Sequence, residues 1–479
     1  MDFHVSLVGR GDLAVRIYRG VREAILDRRL RPGERLPPTR EMARRLDVSR
    51  NTVAVAYERL VAEGFLVARV GSGTFVSVRS VETVRPRRAR RGGNVHARRL
   101  WDSIPEASED HGDAPVYDFS VGIPDVRLFP LASWRQLVGR ALRSDSVAPG
   151  YGEPAGNPAL RAAIARHVGI ARSVRAEAGD VIVTQGAQQA LDIIGRILIE
   201  PGRWVAVEEP GYPPARLLFQ SLGARVVGVP VDAEGLDVAA IPEAAHLVYV
   251  TPSHQFPLGI PMSPGRRASL LAWAERRDSV IVEDDYDSEF RFEDRPLEPL
   301  HSLDRSGRVI YVGSFSKTLL PMLRLGFLVA PASLRGALLK AKRLTDWHGE
   351  QPSQAALAQL IDGGLMARHL RRATLQYAAR HERIVTTLQR DFRTWLQLVP
   401  SRAGLHICAR QAMGAPIDMD RVVRRSRRSG VRVERLGAYC AEPPSQPGLV
   451  IGYGAIRTED IEDGLRRLAE AFQAELRTA

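Results

Sequence analysis

From Val116 onward, short β-branched runs recur along the chain: Val181-Ile-Val-Thr184, Trp204-Val-Ala-Val207, Leu247-Val-Tyr-Val250, Val280-Ile-Val-Glu283 and Val309-Ile-Tyr-Val312. Each is followed by turn residues and a stretch of helical patterning. Strands that alternate with helices in this way predict a mostly parallel sheet covered by helices. No repeat of 20 to 50 residues is present.

The first 78 residues obey a different rule. Leu13, Ile17, Val21, Ala24 and Ile25 have the spacing of an amphipathic helix over Leu13 to Leu30, stopped by Pro32 and Gly33. A second, short helix opens near Pro38 and Thr39, carries Met42, Ala43 and Leu46 inward, and ends at Asp47 and Val48. Ser49 is a good N-cap for a third helix, Arg50 to about Glu63, with Val53, Ala56, Tyr57 and Leu60 inward and Gly64 past its end. Phe65–Val70 and Thr74–Val78 are β-prone runs joined by Gly71-Ser72-Gly73, a tight hairpin. Three helices and a hairpin make a winged helix.

A chain of 479 residues is too long for one core, so separate folded units are expected. Between the two patterns, from Arg79 to about Pro115, apolar periodicity disappears. Arg79, Arg85, Arg87, Arg88, Arg90, Arg91, Arg98 and Arg99 stand there almost without acids, which reads as a flexible basic linker. The predicted division is residues 1–78, a linker over 79–115, and 116–479. The net charge of +13 suits a polyanionic partner, although an arginine-preferring genome produces the same surplus. Two cysteines, Cys408 and Cys440, are too few for a disulfide framework. The first twenty residues lack an apolar signal core, and no later window approaches a membrane span, so a cytoplasmic protein without a membrane partner is expected.

The exposed first turn of the third helix is Ser49-Arg-Asn-Thr52. In a helix-turn-helix this turn meets base edges; Arg can contact guanine bidentately and Asn adenine, while Arg40 on the preceding helix is placed to reach the backbone. The ordered stretch from Arg31-Pro-Gly-Glu-Arg-Leu-Pro-Pro-Thr-Arg-Glu-Met-Ala43 through Val48-Ser-Arg-Asn-Thr-Val53 to Gly71-Ser-Gly-Thr-Phe-Val76 resembles the GntR-type winged helix. The resemblance implies that Arg40, Ser49, Arg50, Asn51 and Thr52 line double-stranded operator DNA, with Ser72 and Gly73 at the wing tip. The alternative is a winged helix used as a protein-protein module.

Four segments of the remainder meet the five needs of pyridoxal 5'-phosphate (PLP) chemistry: an amine for a Schiff base, a carboxylate for the pyridinium, a hydroxyl near O3', a stacking ring and a phosphate cradle. Lys317 sits in Gly313-Ser-Phe-Ser-Lys-Thr-Leu-Leu-Pro-Met-Leu-Arg-Leu-Gly326, just after a strand, with Ser314, Ser316 and Arg324 beside it. Ser314 and Arg324 suit a phosphate. The acidic run Val282-Glu-Asp-Asp-Tyr-Asp-Ser-Glu-Phe290 offers Asp284 to the pyridinium and Tyr286 to O3'; such a run is otherwise a solvated loop. Thr184-Gln-Gly-Ala-Gln188 is a strand-to-helix junction whose amides at Gly186, Ala187 and Gln188 would point at an anion. Glu209-Pro-Gly-Tyr-Pro213 holds Tyr212 for stacking, where an isolated tyrosine would otherwise belong to a core.

Together these segments resemble fold-type-I aminotransferases over residues 116–479, which implies a large α/β domain and, from about residue 365, a small α+β C-terminal subdomain. The fusion resembles the MocR regulators and implies a head-to-tail homodimer, with PLP and an amine or amino acid as ligands. No metal is expected. Two departures stand out: Phe256, in Thr251-Pro-Ser-His-Gln-Phe-Pro-Leu-Gly259, replaces the Asn of working enzymes, and Val450 replaces the Arg that grips a substrate carboxylate. They favour a regulator without physiological turnover over an active aminotransferase with an attached DNA-binding domain; a PLP-binding scaffold that answers no effector is a third reading. Arg216 and Arg457 are the remaining candidate cations for a carboxylate.

Overall fold

The computed structural model describes residues 12–78, 96–105, 114–143, 150–292, 297–415, 417–444 and 446–477. The chain divides into two compact units, Met1–Arg98 and Arg99–Ala479. Most of the expected basic linker, including Arg79, Arg85, Arg87, Arg88, Arg90 and Arg91, lies outside the described residues. Within its range the described part carries a short 3-10 helix, Arg99–Ser103, where irregular chain was expected.

In the first unit, α1 (Leu13–Leu26) is capped by Asp12, whose carboxylate accepts the Ala14 N–H at 2.9 Å. It ends four residues before the expected Leu30, because Arg28 adopts a left-handed φ of 60° and breaks the helix ahead of Pro32 and Gly33. Ile17, Tyr18, Val21, Ala24 and Ile25 are buried, whereas Leu13 is exposed. Helices α2 (Thr39–Leu46) and α3 (Arg50–Ala62) follow. Ser49 caps α3 by accepting the Thr52 N–H at 3.1 Å, and Val53, Ala56, Tyr57 and Leu60 close the core against α1.

The wing is the antiparallel pair β1 (Leu66–Arg69) and β2 (Gly73–Val76), each shorter than the expected runs. Residues 33–36 add a third edge to it: the Leu36 N–H donates to the Thr74 carbonyl at 2.8 Å and the Val76 N–H to that of Glu34 at 2.8 Å.

The second unit is built on an eight-stranded sheet in the order Val181–Thr184, Gly326–Val329, Val309–Ser314, Val280–Asp285, Ala245–Val250, Trp204–Glu209, Arg225–Asp232, Gly235–Leu236. Five central strands, from Val309–Ser314 to Arg225–Asp232, run parallel. Gly326–Val329 is antiparallel to both of its neighbours. The helix Gly186–Leu198 buries Ala190, Leu191, Ile193 and Ile194 on one side of this sheet, and Pro264–Arg277 buries Leu270, Trp273 and Ala274 in a separate cluster that covers other strand residues.

A smaller antiparallel sheet, ordered Leu396–Leu398, His406–Gln411, Gly448–Gly452, Glu434–Arg435, packs with the helices Leu365–Asp391, Met419–Arg428 and Ile461–Leu476. Tyr117–Asp118, from the start of the unit, pairs parallel with Val431–Arg432. The unit is α/β, with a large sheet and an α+β subdomain.

Candidate cofactor cavity and nucleic-acid interface

The first turn of α3 presents Arg50 and Asn51 exposed, with Thr52 partly covered. Ser49 is exposed, but its Oγ is committed to the helix cap and lies 2.7 Å from the Thr52 hydroxyl. Arg50 Nε donates to Thr39 Oγ1 at 3.4 Å, a long bond that ties the first turn of α3 to the start of α2. Arg40 is exposed on α2, Ser72 at the hairpin turn. Gly73 has φ 113°, and a Cβ there would lie 2.8 Å from Arg35 Nε, so the turn next to Ser72 needs glycine. This surface is polar, basic and hydroxyl-rich, the composition that phosphates and base edges take.

In the second unit the carboxyl ends of the central strands open into a cavity of about 630 Å³. Its lining brings together Ala187, Gln188, Tyr212, Asp284, Tyr286, Ser314, Ser316, Lys317 and Arg324 from separate stretches of chain. Gly186 is buried behind this wall; a Cβ there would lie 3.1 Å from Arg324 Nη2. The helix that begins at Gly186 has no side-chain cap, so the positive end of its dipole is directed at the cavity by backbone alone.

Asp284 and Asp285 are the last two residues of the strand Val280–Asp285, where a loop beyond it was expected. Successive strand residues point to opposite faces. Asp284 therefore lines the cavity, while Asp285 turns away to Arg172 Nε at 2.8 Å and the Tyr311 hydroxyl at 2.6 Å. Burial raises the Asp285 carboxyl, but the Arg172 charge outweighs it and holds the group below the ordinary range. Among the described residues Asp284 has no cation within ion-pair distance, and the Lys317 charge lowers it only in part. Its Oδ2 accepts the Tyr249 hydroxyl at 2.8 Å, its Oδ1 is buried without a partner, and burial pushes the group up to about 7.

Lys317 Nζ donates to the Gly122 carbonyl at 2.7 Å. Burial lowers its pKa, partly offset by Asp287 and Asp284, which favours the neutral amine that a nucleophile requires. Gly122 has φ 73°, and a Cβ there would stand 2.6 Å from Lys317 Nζ, so only glycine leaves the amine this position. The Ser316 N–H donates to Ser314 Oγ at 3.1 Å, and Arg324, itself left-handed at φ 50°, donates to the Gln185 carbonyl at 2.9 Å. Both hold the loop around the uncapped helix.

Tyr286 Oη donates to the His254 carbonyl at 2.9 Å and lies 3.0 Å from His254 Nδ1. That ring also meets Asp287 at 3.0 Å and Ser401 Oγ at 3.1 Å. Buried His254, Asp287 and His406 bring ligand-type atoms within 4.8 Å of one another, a cluster sequence reasoning did not anticipate. Phe256 stands edge-on to Tyr212 at 5.7 Å and Tyr286 at 5.8 Å, forming an apolar wall.

Val450 is fully buried and paired with Cys408 and Glu434 on the adjacent strands. Arg216 is held by Glu209 and the Cys440 carbonyl, each at 3.3 Å, and Arg457 is exposed near Glu459; neither lines the cavity. Sequence reasoning missed Gly122, Tyr249 and Glu434, which enter from strands and turns without a motif of their own.

The profile described as aminotransferase class I and II matches residues 114–410, and that of bacterial regulatory proteins of the gntR family matches residues 13–76. A probable rhizopine catabolism regulatory protein MocR of Rhizobium meliloti is 38% identical over 96% of this chain and 93% of its own length. The HTH-type transcriptional regulator TauR of Rhodobacter capsulatus is 35% identical over 98% and 99%. Among solved structures, an archaeal alanine:glyoxylate aminotransferase superposes with a TM-score of 0.71 at 26% identity, covering 80% of this chain and 96% of that one.

Proposed function

As a member of the MocR-type regulators, which join a GntR helix-turn-helix to a class I and II aminotransferase-like domain, this chain is a DNA-binding transcription regulator, and we propose that its input is PLP, or a primary amine reacting with PLP, at Lys317. The observation that carries the reading is Asp284: a buried carboxylate oxygen without a hydrogen-bond partner, on a residue that lines a cavity also holding a partly buried lysine. Such an oxygen is costly in an empty site and favourable against a pyridinium.

The residues fit the cofactor. Asp284 would hold the ring nitrogen, Tyr212 would stack on the ring, and Tyr286 would turn its one hydroxyl hydrogen from the His254 carbonyl to O3'. The amides of Gly186, Ala187 and Gln188, with Ser314, Ser316 and Arg324, would cradle the phosphate. Bound there, PLP supplies an aldehyde carbon that condenses with primary amines. The depressed pKa of Lys317 keeps its amine free to attach and release, and the Phe256 wall limits water.

On the DNA side, Arg50, Asn51 and Thr52 read base edges while Arg40, Ser49, Ser72 and Gly73 meet the backbone. The regulator works as a head-to-tail homodimer in the cytoplasm, where the DNA is, and without physiological transamination. Phe256 and Val450 support that last point.

The test is a titration of the purified protein with amines and 2-oxo acids, followed by absorbance between about 320 and 430 nm, with Lys317→Ala as control. A band shift without keto acid product is expected. Multiple turnovers to a new amino acid would refute the reading as a regulator without turnover.

A further inference from the structure

The charge on the cavity wall bears on which amines enter. Lys317 and Arg324 are the cations among the lining residues; the reading above commits the second to the cofactor's phosphate, and the first holds the cofactor's aldehyde until an amine releases it, when burial favours its neutral form. On the small-subdomain side the lining residue with a charge is Glu434. It is the cross-strand partner of Val450, so the position where an enzyme of this fold would place a carboxylate-gripping arginine is apolar, and the neighbouring position on the same face is an acid.

Glu434 is firmly placed. Oε1 accepts the Val121 N–H at 2.9 Å and Oε2 accepts the Tyr439 hydroxyl. Each oxygen keeps a second lone pair, and the side chain is only partly covered. Its charge is felt at Lys317, where it acts to raise the amine pKa. Arg424, Arg427, Arg432 and Arg435 line, with Asp420, a neighbouring cavity that shares Glu434 and Ala438 with this one.

We propose that the cavity selects primary amines with no carboxylate on the amine-bearing carbon, and that Glu434 recognises a hydroxyl or second amino group next to the reacting amine. This rests on the reading of Lys317 as the PLP lysine. A carboxylate in that place would face the Glu434 charge without a cation to offset it, whereas an amino alcohol or diamine donates to Glu434 directly.

Matched pairs differing only by the carboxylate test this in the PLP-loaded full-length protein: ethanolamine against serine, and 1,2-diaminoethane against 2,3-diaminopropionate. Band shift and calorimetric heat are both recorded. Ethanolamine and the diamine are expected to half-saturate at concentrations at least about tenfold lower than their partners, the scale of a like-charge juxtaposition. Glu434→Gln, which keeps size and backbone contact, is expected to reduce that ratio to about threefold or less; Val450→Arg is expected to invert it. Equal response to both members of a pair, response to no amine, or an unchanged ratio in Glu434→Gln overturns the proposal alone. Absence of any Lys317-dependent cofactor band overturns the PLP reading and the proposal with it.

Discussion

Replacing Asp284 by asparagine should move stability and cofactor affinity in opposite directions. The rise of this carboxyl from 3.8 to about 7 is equivalent to about 4 kcal/mol of resistance to charging. The sign follows from proton uptake. Between about pH 4 and 7 the folded protein holds a proton that the unfolded chain has released, so stability falls as pH rises through this window, and the full cost is present above it. The substituted amide carries no charge and can still accept the Tyr249 hydroxyl, which lies 2.8 Å from the Asp284 carboxylate. Without cofactor, the Asp284→Asn protein is therefore expected to be more stable than the parent at pH 8 by about 1 to 4 kcal/mol, the lower figure allowing for burial of the amide. At pH 4 the two should coincide. With PLP the order reverses, because a ring cation loses its buried counter-charge; a loss of about 3 kcal/mol corresponds to an increase in Kd of about 100-fold or more. Urea unfolding of the cofactor-free proteins at both pH values, with PLP binding followed by absorbance, measures all three quantities. PLP affinity within threefold of the parent, or a cofactor-free variant less stable at pH 8, would refute the assignment of Asp284.

Gly122→Ala should abolish the Lys317-dependent absorbance band, because the new methyl meets the amine at 2.6 Å in a left-handed backbone; a normal band would place the lysine elsewhere. Arg172→Ala strips the counter-charge from buried Asp285 and should cost about 3 to 5 kcal/mol in urea unfolding, while Arg203→Ala, in an exposed pair with Glu200, should cost less than about 1. Arg50→Ala and Asn51→Ala should each weaken specific operator binding by about 1 to 3 kcal/mol and relax sequence preference in a fluorescence anisotropy assay; Arg40→Ala should weaken specific and random DNA alike.

Much of the cavity was legible in the sequence because its chemistry is carried by contiguous motifs. The run from Gly313 to Gly326 delivers Ser314, Ser316, Lys317 and Arg324 in one strand-to-loop passage, and Thr184 to Gln188 delivers a helix start. The acidic run identified Asp284 but not its role relative to Asp285. Only the strand's continuation through both residues separates one acid into the cavity and the other against Arg172, which is 113 positions away. Gly122 and Lys317 lie 195 positions apart, and Val121 and Glu434 are 313 apart; no local pattern announces such meetings. The strand Arg225–Asp232 went unread because Gly228 and Pro230 interrupt it, residues tolerated near a sheet edge where one neighbour is the short strand Gly235–Leu236. Gly326–Val329 was hidden in the tail of the lysine motif, and nothing in its four residues signals that it runs against its neighbours.

The central claim is that chemistry at Lys317 sets DNA binding by the winged helix. The direct measurement is the operator affinity of the PLP-loaded protein with and without saturating ethanolamine, in the parent and in Lys317→Ala. A change of about 5- to 150-fold in the parent, absent in the lysine variant, is the expected coupling. Identical affinities in all four conditions, with the ethanolamine-induced band shift present in the parent, would contradict it.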